Sequence, residues 1–263
     1  MTALKLIDKL GQTATQNRDE YWNYQRQIGH FFLKQYFNQY EHGKTILDIG
    51  CGEGGVLAEF AENGYECFGL EINEQRLEYA RLRYGNKIHL LQGNIEDFNC
   101  SRLFDLVIMS DVIEHIVQKE KALLTIKTCL KNEGLALITF PPYRSAFGGH
   151  QQTLNSFLKY IPFWHLFPRR LYIQLFKWFE PEHLESRLEI YDNGLTIKEF
   201  ELLIQKVDFQ IIRRFDYLIR PRQSLRFGLP IRENRFPLLK EYLTTGVCYL
   251  LKRIPVETNP EQV

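Results

Sequence analysis

Thr45-Ile46-Leu47-Asp48-Ile49-Gly50-Cys51-Gly52-Glu53-Gly54-Gly55-Val56-Leu57 decides the fold. It begins as a short apolar run with β-branched residues, the pattern of a strand buried on both faces. Four glycines within six positions break that run. Apolar spacing then resumes at Val56, Leu57 and Phe60, the interval of a helix face. Strand, glycine turn and helix make a cradle for a small polar ligand. Glycine lets backbone approach the ligand closely, and a new helix offers unpaired N–H groups and the positive end of its dipole.

Downstream, strand and helix patterns alternate. Cys67 to Glu71 reads as a second strand ending in an acid, Glu74 to Arg83 as a helix, and Ile88 to Gln92 as a third strand closed by Gly93-Asn94-Ile95-Glu96-Asp97. Phe104 to Met109 is a fourth strand, apolar enough for burial on both faces, with helix following through Leu130. A turn at Asn132-Glu133-Gly134 feeds a fifth strand, Leu135 to Phe140, stopped by Pro141-Pro142. Such alternation predicts an α/β fold with a mainly parallel sheet.

The alternation stops at Tyr143. Residues 143–193 hold 12 of the chain's 36 aromatics, so this stretch reads as an insertion with apolar surface to bury. Two helices are expected in it, Asn155–Phe167 (interrupted by Pro162) and Arg169–Glu180. Thr196 and Glu199 then have the spacing of a capping box for a helix running to about Lys206. Gln210 toward Leu218 predicts a sixth strand and Gly246 to Lys252 a seventh. With only a loop expected between them, they would pair antiparallel. Asn17 to Tyr40, rich in Tyr, Trp and Phe, predicts helical cover over the body. Residues 1–16 read as a polar lead with frayed helix, and the tail from Pro255 as disordered.

Composition bounds the function. The chain of 263 residues is 44% hydrophobic and 25% charged with a net charge of +1, an ordinary globular balance that gives no overall case for nucleic acid. Its 5 cysteines contain no C-x-x-C pair, so neither a zinc site nor a disulfide framework is suggested; no metal is expected, and the cytoplasm is the default compartment. No apolar run approaches the ~18 residues of a membrane span.

Gly50-x-Gly52-x-x-Gly55 with an acid 21 positions after Gly50 satisfies a dinucleotide fingerprint, so NAD(P) or FAD and an oxidoreductase form one reading. The surroundings point elsewhere. Ile46 to Gly55, with Asp48 two residues before the first glycine, resembles motif I of the class I S-adenosylmethionine-dependent methyltransferases. Glu71, Gly93 to Asp97, Phe104 to Val107, Ser110 to His115 and Leu130 to Gly134 match the later motifs in order. The resemblance covers residues 44–142 and implies a Rossmann-like three-layer sandwich. Its seven-stranded, mostly parallel sheet would have an antiparallel last strand and the aromatic helical insertion after strand five.

The resemblance implies one methyltransferase domain over 1–254. It divides into helical cover (1–43), cofactor core (44–142), a helical lid (143–193), and a closing helix with strands six and seven (194–254); a tail covers 255–263. It also implies S-adenosylmethionine as cofactor, leaving as S-adenosylhomocysteine, with contacts from Asp48, Gly50, Cys51, Gly52, Gly55, Glu71, Ile72, Asn94, Ile95, Ser110 and Asp111. Glu71 would accept hydrogen bonds from the ribose hydroxyls, and Asn94 would stand where the family commonly has an acid for the adenine amine. His150, His115 and Tyr143 follow strands four and five, at the edge where ligands bind in such sheets, and are the candidate acceptor-facing groups. If the acceptor must lose a proton, a histidine is the natural base.

The insertion suits a small or amphipathic acceptor with an oxygen or nitrogen to methylate. Shallow membrane contact through Arg169, Arg170 and Lys177 beside Leu171, Phe176, Trp178 and Phe179 is a weaker alternative. So is a phosphate-bearing substrate at the arginines between 213 and 235. A non-catalytic partner protein that binds S-adenosylmethionine is a further reading, distinguished by the absence of turnover.

Overall fold

A computed structural model describes residues 18–37 and 44–254. The expectations for residues 1–16, for the stretch around Tyr40 and for the tail from 255 lie outside those bounds. Helix α1, Arg18–Phe32, runs on into a π-helical turn, Leu33–Phe37. Its buried residues Gln25, Ile28, Gly29 and Phe32 recur at three- and four-residue intervals, one face of a helix laid on the body. The glycine-rich stretch folds as read: β1 is Thr45–Ile49 and α2 is Gly55–Glu62.

Then follow β2 (Glu66–Glu71), α3 (Glu74–Tyr84), β3 (Ile88–Gln92), β4 (Phe104–Ser110), α4 (Lys119–Cys129) and β5 (Leu130–Phe140). Asn73 caps α3, its side chain accepting from the Arg76 N–H. Beyond β5 lie α5 (Arg169–Phe179), α6 (Leu184–Asn193), α7 (Ile197–Lys206), β6 (Phe209–Ile219), α8 (Pro221–Phe227), β7 (Arg232–Glu233), α9 (Lys240–Leu243) and β8 (Gly246–Arg253).

The strands form one sheet in the order β3-β2-β1-β4-β5-β8-β6-β7. The five strands β1–β5 are parallel, while β8 runs antiparallel to both β5 and β6. The order reverses between β1 and β4, which opens a crevice outside their carboxyl ends. One core layer holds Met109, Ile126, Phe140, Phe200 and Tyr249, and the other holds Ile28, Phe32, Leu57, Phe60 and Leu77. The reciprocal capping box of Thr196 and Glu199 is present at α7.

Several expectations need correction. The sheet has eight strands, not seven, because two residues of the arginine-rich connection, Arg232–Glu233, pair with β6. That connection is not a plain loop: Pro221 starts α8 at a position where its missing N–H costs nothing. β5 begins at Leu130, earlier than its apolar run suggests. No helix spans Asn155–Phe167. Short 3₁₀ turns at Phe157–Tyr160 and Trp164–Leu166 are separated by Pro162 and by Phe163, which is left-handed at φ +64°. Two cysteines do pair. Cys100, after β3, and Cys129, at the end of α4, form a disulfide with Cα atoms 5.4 Å apart, a proximity created by the fold and not by sequence spacing.

The aromatic stretch has its own core of Leu154, Leu158, Trp164, Tyr172 and Phe176, with Trp164 stacked on Tyr172 at 5.1 Å. Three of its rings, Trp164, Tyr172 and Phe176, are thus buried packing groups, while Phe157, Phe167, Trp178 and Phe179 remain exposed.

Helices α1 and α2 cross through glycines. A Cβ on Gly55 would lie 2.5 Å from the Trp22 carbonyl oxygen and 2.6 Å from the Gln25 Cβ, and one on Gly29 would lie 2.9 Å from the Val56 oxygen. Gly55→Ala is accordingly expected to destabilise the protein by about 1–3 kcal/mol, as overpacking does, read as a lower midpoint in urea unfolding.

Candidate functional site

The glycine turn holds its shape by backbone conformation and by two buried side chains. Gly50, Gly52 and Gly54 all have positive φ (71°, 57° and 76°), where a side chain is strained. Gln25 of α1 clips the turn: its amide donates to the Cys51 carbonyl (3.3 Å) and its oxygen accepts from the Gly55 N–H (3.2 Å). Glu71, at the end of β2, accepts from the Gly52 N–H (2.9 Å) through one oxygen and from the Asn73 N–H (3.0 Å) through the other. These bonds fix the carboxylate at the crevice with lone pairs left over for further donors. Asp48 is buried beneath the turn. Burial, then the like charge of Glu71, pushes its carboxyl up to about 8, so Asp48 carries its proton at neutral pH. Cys51 is buried, and desolvation raises its thiol, so it is a filler of the turn and not a nucleophile.

Other donor-side residues vary in how they face the crevice. Ile72 is exposed beside Glu71, whereas the Ile95 side chain is buried in the core. Asn94 is engaged with its neighbour: its oxygen accepts from the Glu96 N–H (3.1 Å) and its amide donates to the Glu96 carboxylate (2.9 Å). One lone pair of that oxygen remains to accept from a ligand. Ser110, ending β4, shares a hydroxyl contact of 2.9 Å with Thr139 of β5. Asp111 is left-handed at φ +55° and salt-bridged to Arg220 (2.9 Å) and Arg222 (3.1 Å). Burial alone would raise its pKa, but the two guanidiniums overcome that and hold it below the usual carboxylate range.

The candidate acceptor-facing residues come together. His115 and His150 meet edge to face with ring centroids 5.2 Å apart, and with Glu114 and Tyr143 they line one small cavity at the ends of β4 and β5. His150 sits on a left-handed backbone at φ +54°. Desolvation, followed by repulsion from His115, lowers His150 to about 3; desolvation lowers His115 as well. Both rings are neutral at pH 7 and can present a lone pair. A group near 3 is a poor proton acceptor at neutral pH, so the exposed His115 is the better base. The Tyr143 hydroxyl already donates to the His165 carbonyl (3.1 Å), and burial raises its pKa, which makes the ring a wall.

Two participants escaped the sequence reading. Gln25 is one. The other is Glu114, buried with both carboxylate oxygens lacking a hydrogen-bond partner and held protonated by burial, then by Asp111, at about 8. Glu114, His115 and His150 present ligand atoms within 4.8 Å of one another, close enough to hold a divalent cation. On release of its proton, the orphaned Glu114 carboxylate beside two neutral imidazoles is a chemically fitting donor set.

A family model described as a methyltransferase domain matches residues 20–199. The chain belongs to that family. Its doubly wound sheet is the Rossmann-like one, and membership in a methyltransferase family displaces the oxidoreductase reading. Set against S-adenosylmethionine, the cradle offers an anchored carboxylate at Glu71 and glycines that permit close approach.

The methyltransferase is 33% identical over 97 residues to the ubiquinone biosynthesis O-methyltransferase of Rickettsia prowazekii (strain Madrid E), a match covering 36% of this chain and 38% of that one. It therefore spans little more than a third of that relative's length. Among solved structures, it resembles a possible histamine N-methyltransferase from Thermotoga maritima at a TM-score of 0.55 and 18% identity, covering 95% of this chain and 99% of that one. A plantazolicin methyltransferase solved with S-adenosylhomocysteine gives a TM-score of 0.58 at 15% identity, covering 95% and 98%. At such identities the likeness is one of fold. Among the described residues, no helix is long and apolar enough to cross a membrane.

Proposed function

We propose that this methyltransferase transfers a methyl group from S-adenosylmethionine to an oxygen of a small or amphipathic acceptor held at the ends of β4 and β5, beneath residues 143–193 acting as a lid. The observation that carries this reading is convergence. The glycine turn, Glu71 and Ser110 line one carboxyl edge of the sheet, and the His115–His150 pair stands beside them. The relative's name favours oxygen over nitrogen as the acceptor atom.

The bound donor supplies a methyl carbon already activated by its sulfonium. The chain's own work is to orient two partners in line and to exclude water. Asp48, the glycine turn and Glu71 hold the donor end, with Asn94, Ile72 and the Ile95 backbone at the adenine. His115 accepts the acceptor's proton at its ring nitrogen, and His150 orients the hydroxyl by accepting its hydrogen bond. In a second reading, favoured by the orphaned Glu114 oxygens, Glu114, His115 and His150 would hold a divalent cation, which would supply Lewis-acid activation of a hydroxyl acceptor.

Incubation with methyl-labelled S-adenosylmethionine and fractionated metabolite extracts is expected to label hydroxyl-bearing, weakly polar compounds. No labelled product from any fraction, with donor binding intact, would leave a non-catalytic binding protein. Chelation separates the two readings. Loss of transfer in chelator, restored by added magnesium or manganese, is the outcome for the cation; unchanged transfer is the outcome for the histidine base.

A further inference from the structure

Donor-side residues supply carboxylates and neutral groups, yet S-adenosylmethionine ends in an amino acid whose carboxylate needs a cation. The two guanidiniums at the crevice come from the far end of the chain. Arg222 places Nε 3.1 Å from the Asp111 carboxylate and a terminal nitrogen 3.5 Å from the Ser110 hydroxyl, at the carboxyl end of β4. Arg220 places its own terminal nitrogen 2.9 Å from the same Asp111 oxygen. One carboxylate thus answers two guanidiniums, leaving a positive charge in excess in a half-buried place. Such a charge calls for an anion.

The two arginines are not equivalent. The Arg220 stem lies against Gly246, where an added Cβ would be 2.5 Å away, so that side chain is wedged. Arg222 is steadied by α1: its guanidinium lies 5.8 Å from the Tyr24 ring centre, and the Tyr24 hydroxyl donates to its carbonyl. Its guanidinium can turn from Asp111 to a ligand while α8 stays in place.

We infer that Arg222, supported by Arg220, binds the carboxylate of the donor's amino acid end, while the Asp111 carboxylate released by that exchange takes the donor's ammonium. The zwitterion replaces the internal salt bridge charge for charge. The assignment rests on the donor reading given above and adds a residue from beyond the segment matched by the family model.

The test compares S-adenosylhomocysteine with methylthioadenosine by calorimetry on the full chain. The second ligand keeps adenine, ribose and thioether sulfur but lacks the amino acid end. Arg222→Gln is expected to weaken S-adenosylhomocysteine by roughly 10- to 100-fold, the scale of lost charge-assisted hydrogen bonds, and to leave methylthioadenosine within about twofold. Arg222→Lys should fall between, keeping charge without the planar fork. Equal loss for both ligands, or no loss for either, overturns the assignment. So does an S-adenosylhomocysteine-specific loss in Arg76→Gln with none in Arg222→Gln, since Arg76 also nears the turn, 3.7 Å from a Cβ placed on Gly52. Wild-type protein that bound neither ligand would instead overturn the donor reading itself.

Discussion

The His150→Asn protein is expected to transfer methyl groups about 100- to 10,000-fold more slowly than wild type while binding S-adenosylhomocysteine normally. Asparagine is the informative replacement because residue 150 is left-handed at φ +54°, a conformation asparagine tolerates and alanine does not. The backbone role survives: the His150 carbonyl accepts from Arg187 (3.2 Å) whatever the side chain. What is lost is a neutral imidazole fixed beside His115. The magnitude is that of losing the group that orients the acceptor hydroxyl toward the His115 base, or of a missing metal ligand. Single-turnover measurements with saturating donor would read it directly, and full activity would remove His150 from the chemistry.

The pH profile adds a second constraint. Burial lowers both imidazoles, His150 to about 3, so each keeps its lone pair to a lower pH than free histidine does. A base must be unprotonated, and activity is lost as pH falls through its pKa. The acid limb of kcat should therefore lie below pH ~6.5, the value for free histidine. An acid limb at or above that value would show that neither ring governs the rate.

Asp48, the glycines and Glu71 were legible because their signal is local. A strand, a turn requiring positive φ and a helix follow one another within a few residues, and an acid closes the next strand. Gln25 and Arg222 were not. Gln25 reaches Gly55 across 30 positions and Arg222 reaches Ser110 across 112, so their roles arise from how α1 and α8 pack. Glu114 lies within a motif that was read, but only its burial without partners marks it. The aromatic stretch misled in detail for a similar reason. Pro162 signals a break, yet the left-handed Phe163 and the collapse of Trp164 onto Tyr172 are tertiary events. The edge beyond β6 was missed because a two-residue strand has no periodicity to read.

Glu71→Ala is expected to damage both the turn and the ligand site, and the two losses can be separated. In the folded protein this carboxylate accepts from the Gly52 and Asn73 N–H groups. Alanine leaves both donors without that partner, about 1–3 kcal/mol for each that stays buried and dry, and a lower unfolding midpoint should follow even without ligand. Donor affinity should fall further, since the same oxygens are read as acceptors for the ribose hydroxyls. Glu71→Gln isolates the second effect: its one carbonyl oxygen can keep one backbone donor, while the charge assistance to the ribose is gone. The decisive comparison is adenosine against dideoxyadenosine. Wild type should prefer adenosine, and Glu71→Gln should narrow that preference by roughly tenfold, one lost charge-assisted bond. If the preference stays the same while stability drops, Glu71 braces the glycine turn and the ribose lies elsewhere.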